Sequence, residues 1–161
     1  MDYLWSPWRY AYVSRNEAPT GCIFCVKSAE RNDEENLVLF RGEHNFVLLN
    51  LFPYTSGHMM IAPYAHVATL EEAPEEAVVE MMSLARIASK HLSAVYRPQG
   101  MNLGMNIGEC AGAGIAGHIH MHVLPRWPGD SNFMTTTGET RVIPEDLSIT
   151  YEKLRGAFQG S

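Results

Sequence analysis

Three histidines occupy every second position of one short segment, and this spacing constrains the local structure more than any other feature of the chain. The segment is GHIHMHVLPRW, residues 117–127, in which His118, His120 and His122 alternate with apolar residues. Because successive side chains of a β-strand point to opposite faces, the alternation predicts a strand with one imidazole face and one apolar face. At about 3.3 Å per residue the outer histidines lie roughly 13 Å apart at their backbones, so we expect the three to have separate roles.

The remaining hydrophobic pattern predicts an α+β domain with a five-stranded antiparallel sheet, one long helix and one short helix. Apolar residues recur at helical spacing from Pro74 to Tyr96, and a shorter stripe predicts a C-terminal helix at 144–160. Apolar or alternating runs predict the strands, at 37–42, 45–50, 57–63, 100–108 and 118–127. With 161 residues and no break in composition, we expect a single domain over 1–161. Its aromatic-rich first 20 residues are predicted to form an arm packed on the domain or on a partner subunit.

Charge and composition exclude several classes of partner. The net charge of −6 leaves no basic surface for a phosphate backbone, so we do not expect nucleic acid as a partner. No apolar run is long enough to span a bilayer, and the first residues lack the apolar core of a signal peptide. These features predict a cytoplasmic protein without a membrane partner.

Two cysteines, Cys22 and Cys25, form a Cys-x-x-Cys pair in a chain that has three cysteines. In a reducing compartment such a pair indicates half of a metal site or a redox pair, and not a structural disulfide. Spacing alone leaves these two alternatives open.

A glycine-rich loop precedes the histidines. Gly112, Gly114 and Gly117 spell G-x-G-x-x-G, which in a strand–turn–helix context indicates a dinucleotide-binding turn. Here the loop leads into a predicted strand instead of a helix, so a Rossmann fold is rejected. The loop either brings backbone N–H groups close to an anion or is simply a tight connection that only glycine fits.

The histidine segment resembles the signature of the histidine triad superfamily, H-φ-H-φ-H-φ-φ with φ an apolar residue, and residues 118–124 match it at every position. The segments NLFPYTSGHMMIAPYAH at 50–66 and NIGECAGAGIAGHIHMHVLPRW at 106–127 also resemble conserved blocks of that superfamily. With LWSPWR near the start and WPGDSNFM after the triad, the likeness is strongest to bacterial diadenosine tetraphosphate phosphorylase-like members. The resemblance implies the fold of this superfamily, a homodimer and a small nucleotide substrate.

The resemblance also implies catalytic roles for the triad. His120 would attack the α-phosphorus of a nucleotide, which requires a neutral imidazole whose other nitrogen is held as N–H by an acceptor. His122 would bind phosphate oxygens or assist the leaving group, and His118 would be the structural member of the triad. Backbone N–H groups around Ala113 and Gly114 would stabilise the developing charge.

The family pattern implies nucleotide contacts at matching positions. Asn106 would contact the phosphates, Asn50 would lie near the ribose, and Trp127 would lie beside the site. Apolar side chains would flank the base, where aliphatic and aromatic surface suits a purine, namely those of Ile23, Phe24, Leu48 and Leu51.

Zinc-containing members of the superfamily imply a Cys₂His₂ structural site, which in this chain would be formed by Cys22, Cys25, His66 and His118. No organic cofactor is expected. His58 matches a histidine that supports the triad, or it would replace His66 as the ligand if the loop runs differently. The remaining histidines, His44 and His91, match no position of the family pattern and are expected at the surface. The third cysteine, Cys110, is unassigned.

Two departures from the family pattern bear on the reaction. Gly114 stands where many relatives carry Ser or Thr, and Asn106 stands where the triphosphate hydrolases carry glutamine. The favoured reaction is cleavage of a dinucleoside polyphosphate through a nucleotidyl-His120 intermediate, with phosphate as the acceptor. Diadenosine tetraphosphate is the favoured substrate. A dinucleoside polyphosphate hydrolase and a nucleoside phosphoramidate hydrolase are alternative enzymes, and a non-catalytic nucleotide-binding module is the alternative of another class.

Overall fold

The computed structural model describes residues 21–132, 135 and 143–160, so the predicted N-terminal arm lies outside the described residues. In these residues the helices are α1 (Ile23–Ala29), α2 (Glu75–Tyr96) and α3 (Leu147–Gln159), with a 3₁₀ turn at Glu109–Ala111. The strands are β1 (Val38–Arg41), β2 (Asn45–Leu49), β3 (Met59–Pro63), β4 (Gly100–Met105) and β5 (Met121–Arg126). They form one antiparallel sheet in the order β1-β2-β3-β5-β4. The predicted α+β fold is confirmed, with α1 as an additional short helix.

The two faces of the sheet have different coverings. On one face α2 and α3 enclose the larger core, which includes Met59, Val123 and Leu92, each with an exposed fraction of 0%. The opposite face carries His122, because Leu48 pairs with Met60 and Met60 pairs with His122 across neighbouring strands. The helix layer therefore buries one face and leaves the histidine face to α1 and the loops.

Helix α2 has the predicted extent, but one of its residues is buried where the sequence predicted exposure. It begins after Pro74, carries acidic residues in its first turn, and ends at Tyr96, where the capping residue Arg97 has a left-handed φ of 48°. The expectation that His91 lies at the surface is wrong, because this side chain is 7% exposed and its ring lies 4.5 Å from that of Phe158. Position 91 follows the buried Ala88 by three residues and belongs to the same stripe.

The histidine segment forms a shorter strand than its alternation predicts. Pairing between β3 and β5 begins at Ile61 and Met121, so His118 and His120 precede the strand. Pro63 has no N–H to continue the ladder, and the Ile119 N–H donates instead to the Val67 carbonyl at 2.8 Å. The alternation still holds, because Ile119 is 2% exposed and faces the interior.

None of the helices within 21–132 and 143–160 combines the length and the hydrophobicity that a bilayer crossing requires.

Candidate active site and metal centre

The ring of His120 is held in one tautomer by its own backbone. Its Nδ1–H donates to the His118 carbonyl at 2.9 Å, and among the described residues nothing bonds to its Nε2. Burial lowers the pKa of His120, with the bond to the His118 carbonyl opposing this effect, so the ring is neutral at pH 7. His120 therefore presents an Nε2 lone pair, as a nucleophile requires. The acceptor that the sequence could not name is the carbonyl two residues earlier.

His122 is held in the opposite tautomer by His58. The Tyr54 N–H donates to His58 Nδ1 at 3.1 Å, so a neutral His58 carries its proton on Nε2. His58 Nε2 lies 2.8 Å from His122 Nδ1, which therefore accepts, and the His122 proton sits on Nε2. Burial, and then the neighbouring His120, lower the pKa of His122 to about 4. His122 thus presents an N–H donor beside the lone pair of His120, with ring centroids 4.9 Å apart.

Asn50 lies behind His58 in this structure. Its Oδ1 accepts from the Phe52 N–H at 2.9 Å, and its Nδ2 lies 3.3 Å from His58 Nδ1. Asn50 therefore fixes the loop after β2 and helps set the tautomer of His58. Its predicted place near a ribose stays a prediction.

In the glycine-rich loop, the backbone N–H groups of Ala113 and Gly114 differ in whether an acceptor among the described residues bonds to them. The Ala113 N–H donates to the Gly108 carbonyl at 3.3 Å, so a phosphate contact there would have to replace this bond. In the described residues no acceptor bonds to the Gly114 N–H, and a Cβ at Gly114 would meet nothing within 4 Å. Asn106 Nδ2 donates to the Gly112 carbonyl at 3.4 Å and ties this loop to the end of β4. Of the two predicted donors, only the Gly114 N–H has no acceptor to give up among the described residues.

The apolar residues that the family pattern places around a base differ in exposure. Phe24 and Leu48 are each 1% exposed, whereas Ile23 is half-buried and Leu51 is 37% exposed. The Phe24 ring lies 4.8 Å from that of His120 and packs against this imidazole. Contact with a base stays a prediction for all four, and Ile23 and Leu51 have the accessible surface for it.

The structure brings all four predicted metal ligands together. The ligand atoms of Cys22, Cys25, His66 and His118 lie within 4.8 Å of one another. Cys22 Sγ is 3.2 Å from His118 Nδ1, and Cys25 Sγ is 3.3 Å from His66 Nδ1. Sulfur and nitrogen ligands of a tetrahedral zinc are separated by roughly 3.5 Å, so the donor set fits this ion. His58 does not replace His66, because it faces His122.

The backbone around His118 prepares it as a ligand. Its Nε2–H donates to the Pro63 carbonyl at 2.9 Å, which leaves the Nδ1 lone pair facing the two thiols. Burial lowers the pKa of His118, which favours the neutral ring that binds a metal. The carbonyl of the same residue accepts from His120, so the candidate metal ligands and the predicted nucleophile are joined through His118.

Arg41, which the sequence did not single out, anchors the helix that bears the cysteines. Its guanidinium donates to the Ser28 carbonyl at 2.7 Å, the Glu30 carbonyl at 2.6 Å and the Asp33 carboxylate at 2.8 Å. It thereby holds the C-terminal end of α1 to β1. No spacing signal marks such a residue, because its partners are mainly backbone carbonyls.

Comparison with known proteins agrees with this geometry. The family model described as HIT domain matches residues 31–129. The chain belongs to the HIT domain family. An AP-4-A phosphorylase of Mycobacterium tuberculosis is 38% identical over 157 residues, which cover 93% of this chain and 80% of the relative. The chain is thus a HIT-family enzyme of the nucleotide hydrolase or transferase class.

Two further relatives are informative. A crystal structure of a zinc-bound histidine triad family protein from Mycobacterium smegmatis superposes with a TM-score of 0.70 at 26% identity, covering 89% of this chain and 96% of that one. The adenylylsulfatase HINT3 of Arabidopsis thaliana is 32% identical over 71% of this chain and 56% of its own length. The first likeness extends the shared fold over nearly all of both chains.

Proposed function

We propose that this enzyme cleaves dinucleoside polyphosphates, with diadenosine tetraphosphate as the preferred substrate, through a nucleotidyl-His120 intermediate. His120 Nε2 attacks the α-phosphorus, the bond from that phosphorus to the bridging oxygen breaks, and ATP leaves. A phosphate oxygen then attacks the same phosphorus, the N–P bond breaks, and ADP is released. Two displacements return the histidine to its starting state.

The opposite tautomers of neighbouring histidines carry this proposal. His120 offers a lone pair, and His122, two residues further along the chain, offers an N–H. A module that only binds phosphate would benefit from donors at both positions, whereas phosphoryl-group attack requires one lone pair and one donor. The arrangement therefore favours catalysis over simple binding.

His122 acts as a hydrogen-bond donor to a phosphate oxygen. The leaving group is itself a phosphate, whose last pKa is near 6, so it departs near pH 7 without full protonation. A neutral donor is sufficient for such a group, and the low pKa of His122 keeps the ring neutral. The Gly114 N–H, to which no acceptor bonds among the described residues, would donate to the same charged region.

Inorganic phosphate is the favoured acceptor, since the 38% identical relative is named a phosphorylase. A second candidate is adenylyl transfer to water from a mixed anhydride, favoured by the likeness to an enzyme named adenylylsulfatase. The first displacement on His120 is the same in both reactions, and only the leaving group and the acceptor differ.

Product analysis separates these possibilities. Diadenosine tetraphosphate is incubated with the enzyme, with and without inorganic phosphate, and the nucleotides are resolved by chromatography. ADP plus ATP formed only with phosphate supports the proposal, whereas AMP plus ATP formed without phosphate indicates a hydrolase. His120→Ala should abolish turnover while the half-buried His44→Ala, a matched histidine control, should not. Equal activity of His120→Ala and wild type would refute the mechanism.

We further propose that the Cys₂His₂ set holds structural zinc. The ion would tie α1 to His118 and so keep Phe24 against the nucleophile. Thiolate ligands persist in reducing surroundings, in keeping with the cytoplasmic location that we propose.

A homodimer is also proposed. Strand β4 lies at the edge of the sheet, and its Leu103 is 45% exposed. An edge strand with an exposed apolar side chain suits pairing with another chain. Sedimentation velocity of the full chain should give twice the monomer mass, and a monomer at micromolar concentration would contradict this proposal.

A further inference from the structure

A cavity of about 490 Å³ opens beside the histidines and has no role in the steps above. Aromatic rings from Tyr54, Tyr96 and Trp127 line it, and α3 contributes Lys153 to its wall. Its volume falls within the roughly 300–1,000 Å³ that is typical of small-ligand sites. Ring surfaces in a pocket of this size suit a flat heterocycle.

Tyr54 connects this cavity to the reacting groups. Its ring lies 6.1 Å from the His122 ring, nearly parallel to it, and 4.8 Å from the His58 ring. The same ring lines the cavity and is 44% exposed. The Tyr54 ring therefore separates the cavity from His122, the residue proposed to donate to a phosphate oxygen.

The charged groups of the described lining residues do not favour a phosphate. Asp130 accepts from the Arg126 guanidinium at 2.6 and 2.7 Å, so this arginine is already paired. Glu145 accepts from the Tyr96 hydroxyl and from the Lys153 ammonium group. Among the described lining residues the carboxylates are paired to nearby cations, so these residues offer no surplus positive charge to an anion, while their carboxylate oxygens remain able to accept from hydroxyl groups.

Ser56 contributes a hydroxyl group to the cavity wall. The Ser56 side chain lines the cavity and is 8% exposed, and its Oγ has no hydrogen-bond partner among the described residues. Buried polar groups are ordinarily paired, so an orphaned hydroxyl at a cavity wall indicates a ligand or a water that completes it.

From these observations we propose that the cavity binds the nucleoside at the far end of the substrate, the one that departs with the leaving polyphosphate. The base stacks on Trp127 and Tyr54, and the sugar hydroxyls bond to the polar wall. This inference rests on the proposed function, and it makes the cavity the reason for preferring a dinucleoside substrate to a mononucleotide.

Two ligands of equal charge isolate the contribution of the second nucleoside. One is diadenosine tetraphosphate, and the other is adenosine tetraphosphate with a methyl ester on its last phosphate. Their kcat/KM values with phosphate are compared for wild type, Trp127→Leu and Trp127→Phe. Because stacking of a base on an aromatic ring is strong, wild type should prefer the dinucleotide by about tenfold or more. Trp127→Leu should remove most of this preference and Trp127→Phe should retain it.

Binding to unreactive protein tests the same inference without turnover. Calorimetric titration of His120→Ala should give a lower dissociation constant for the dinucleotide than for the methyl ester. Adding Trp127→Leu or Ser56→Ala to this variant should reduce the difference between the two dissociation constants. Ser56→Ala should not lower the melting temperature, because its hydroxyl makes no bond in the described residues. The exposed Val79→Ala on α2 is the control that should leave both ligands unaffected.

The two proposals fail in different ways. Equal binding of both ligands to His120→Ala, or an equal loss for both in the Trp127→Leu variants, would overturn the nucleoside site. Absence of turnover by wild type with preserved preferential binding would overturn the proposed reaction and leave the nucleoside site supported.

Discussion

Substitution of Gly114 tests most directly the proposal that the glycine-rich loop binds phosphate. Many members of the superfamily that this chain resembles carry Ser or Thr at this position. A Cβ at Gly114 would meet no atom within 4 Å, and its φ lies outside the left-handed region. Gly114→Ser should therefore fold without strain and restore a hydroxyl beside the phosphates.

The size of the gain follows from hydrogen bonding to a charged group. Such a bond contributes about 1.5–3 kcal/mol, and ordering the serine side chain reduces it. The lower value, about 1.5 kcal/mol, corresponds to roughly a tenfold increase in kcat/KM. Restricting the unfolded chain should also raise the free energy of unfolding by about 0.5 kcal/mol.

Steady-state phosphorolysis of diadenosine tetraphosphate measures the effect. Gly114→Ala is the matched control, because it adds the Cβ without the hydroxyl and should leave kcat/KM unchanged. Gly112→Ser should be harmful, since its φ of +88° strains any residue with a side chain. If folded Gly114→Ser shows no gain, or if Gly114→Ala gains equally, the hydroxyl argument is refuted.

Three further perturbations test other parts of the molecule. Cys25→Ser should lower the zinc content of freshly purified protein, measured by mass spectrometry, and reduce its melting temperature; unchanged values for both would count against a metal centre. Glu80 accepts from the Glu43 and His44 N–H groups at 2.7 and 2.8 Å, so Glu80→Gln should cost about 1–3 kcal/mol in urea unfolding, and an unchanged midpoint would contradict this estimate. The pKa of His122 is lowered to about 4 from its ordinary value near 6.5. The contribution of this neutral ring to the free energy of unfolding is therefore fully present above about pH 6.5 and declines as the pH falls toward 4. Thermal unfolding of His122→Gln should accordingly depend less steeply on pH in this window, and an equal slope would exclude the effect.

Periodicity predicted most of what positions the site. The two-residue alternation placed the three imidazoles on one side of Ile119, and the helical stripe defined α2 to within one residue at its start. His91 belonged to that stripe as well, so its burial was predictable from its spacing to Ala88. The metal ligands, far apart in sequence, were matched through family resemblance, because spacing alone leaves a Cys-x-x-Cys pair ambiguous.

The sequence could not predict which backbone groups bond to the histidine rings. The tautomer of His120 depends on the His118 carbonyl, and that of His58 depends on the Tyr54 N–H. Every residue carries such groups, so composition and motif cannot show which one lies within hydrogen-bond distance. Helix α1 was missed for a related reason, since seven residues are too few to give a clear period.

The tautomers of His120 and His122 can be measured directly. Long-range proton–nitrogen NMR spectra of protein with ¹⁵N-labelled histidine distinguish protonated from unprotonated ring nitrogens, and His120→Gln and His122→Gln assign the two rings. At pH 7 we expect His120 to be protonated at Nδ1 with a bare Nε2, and His122 to be protonated at Nε2. A proton on Nε2 of His120, or the same tautomer at both rings, would contradict the division between nucleophile and donor on which the proposed reaction depends.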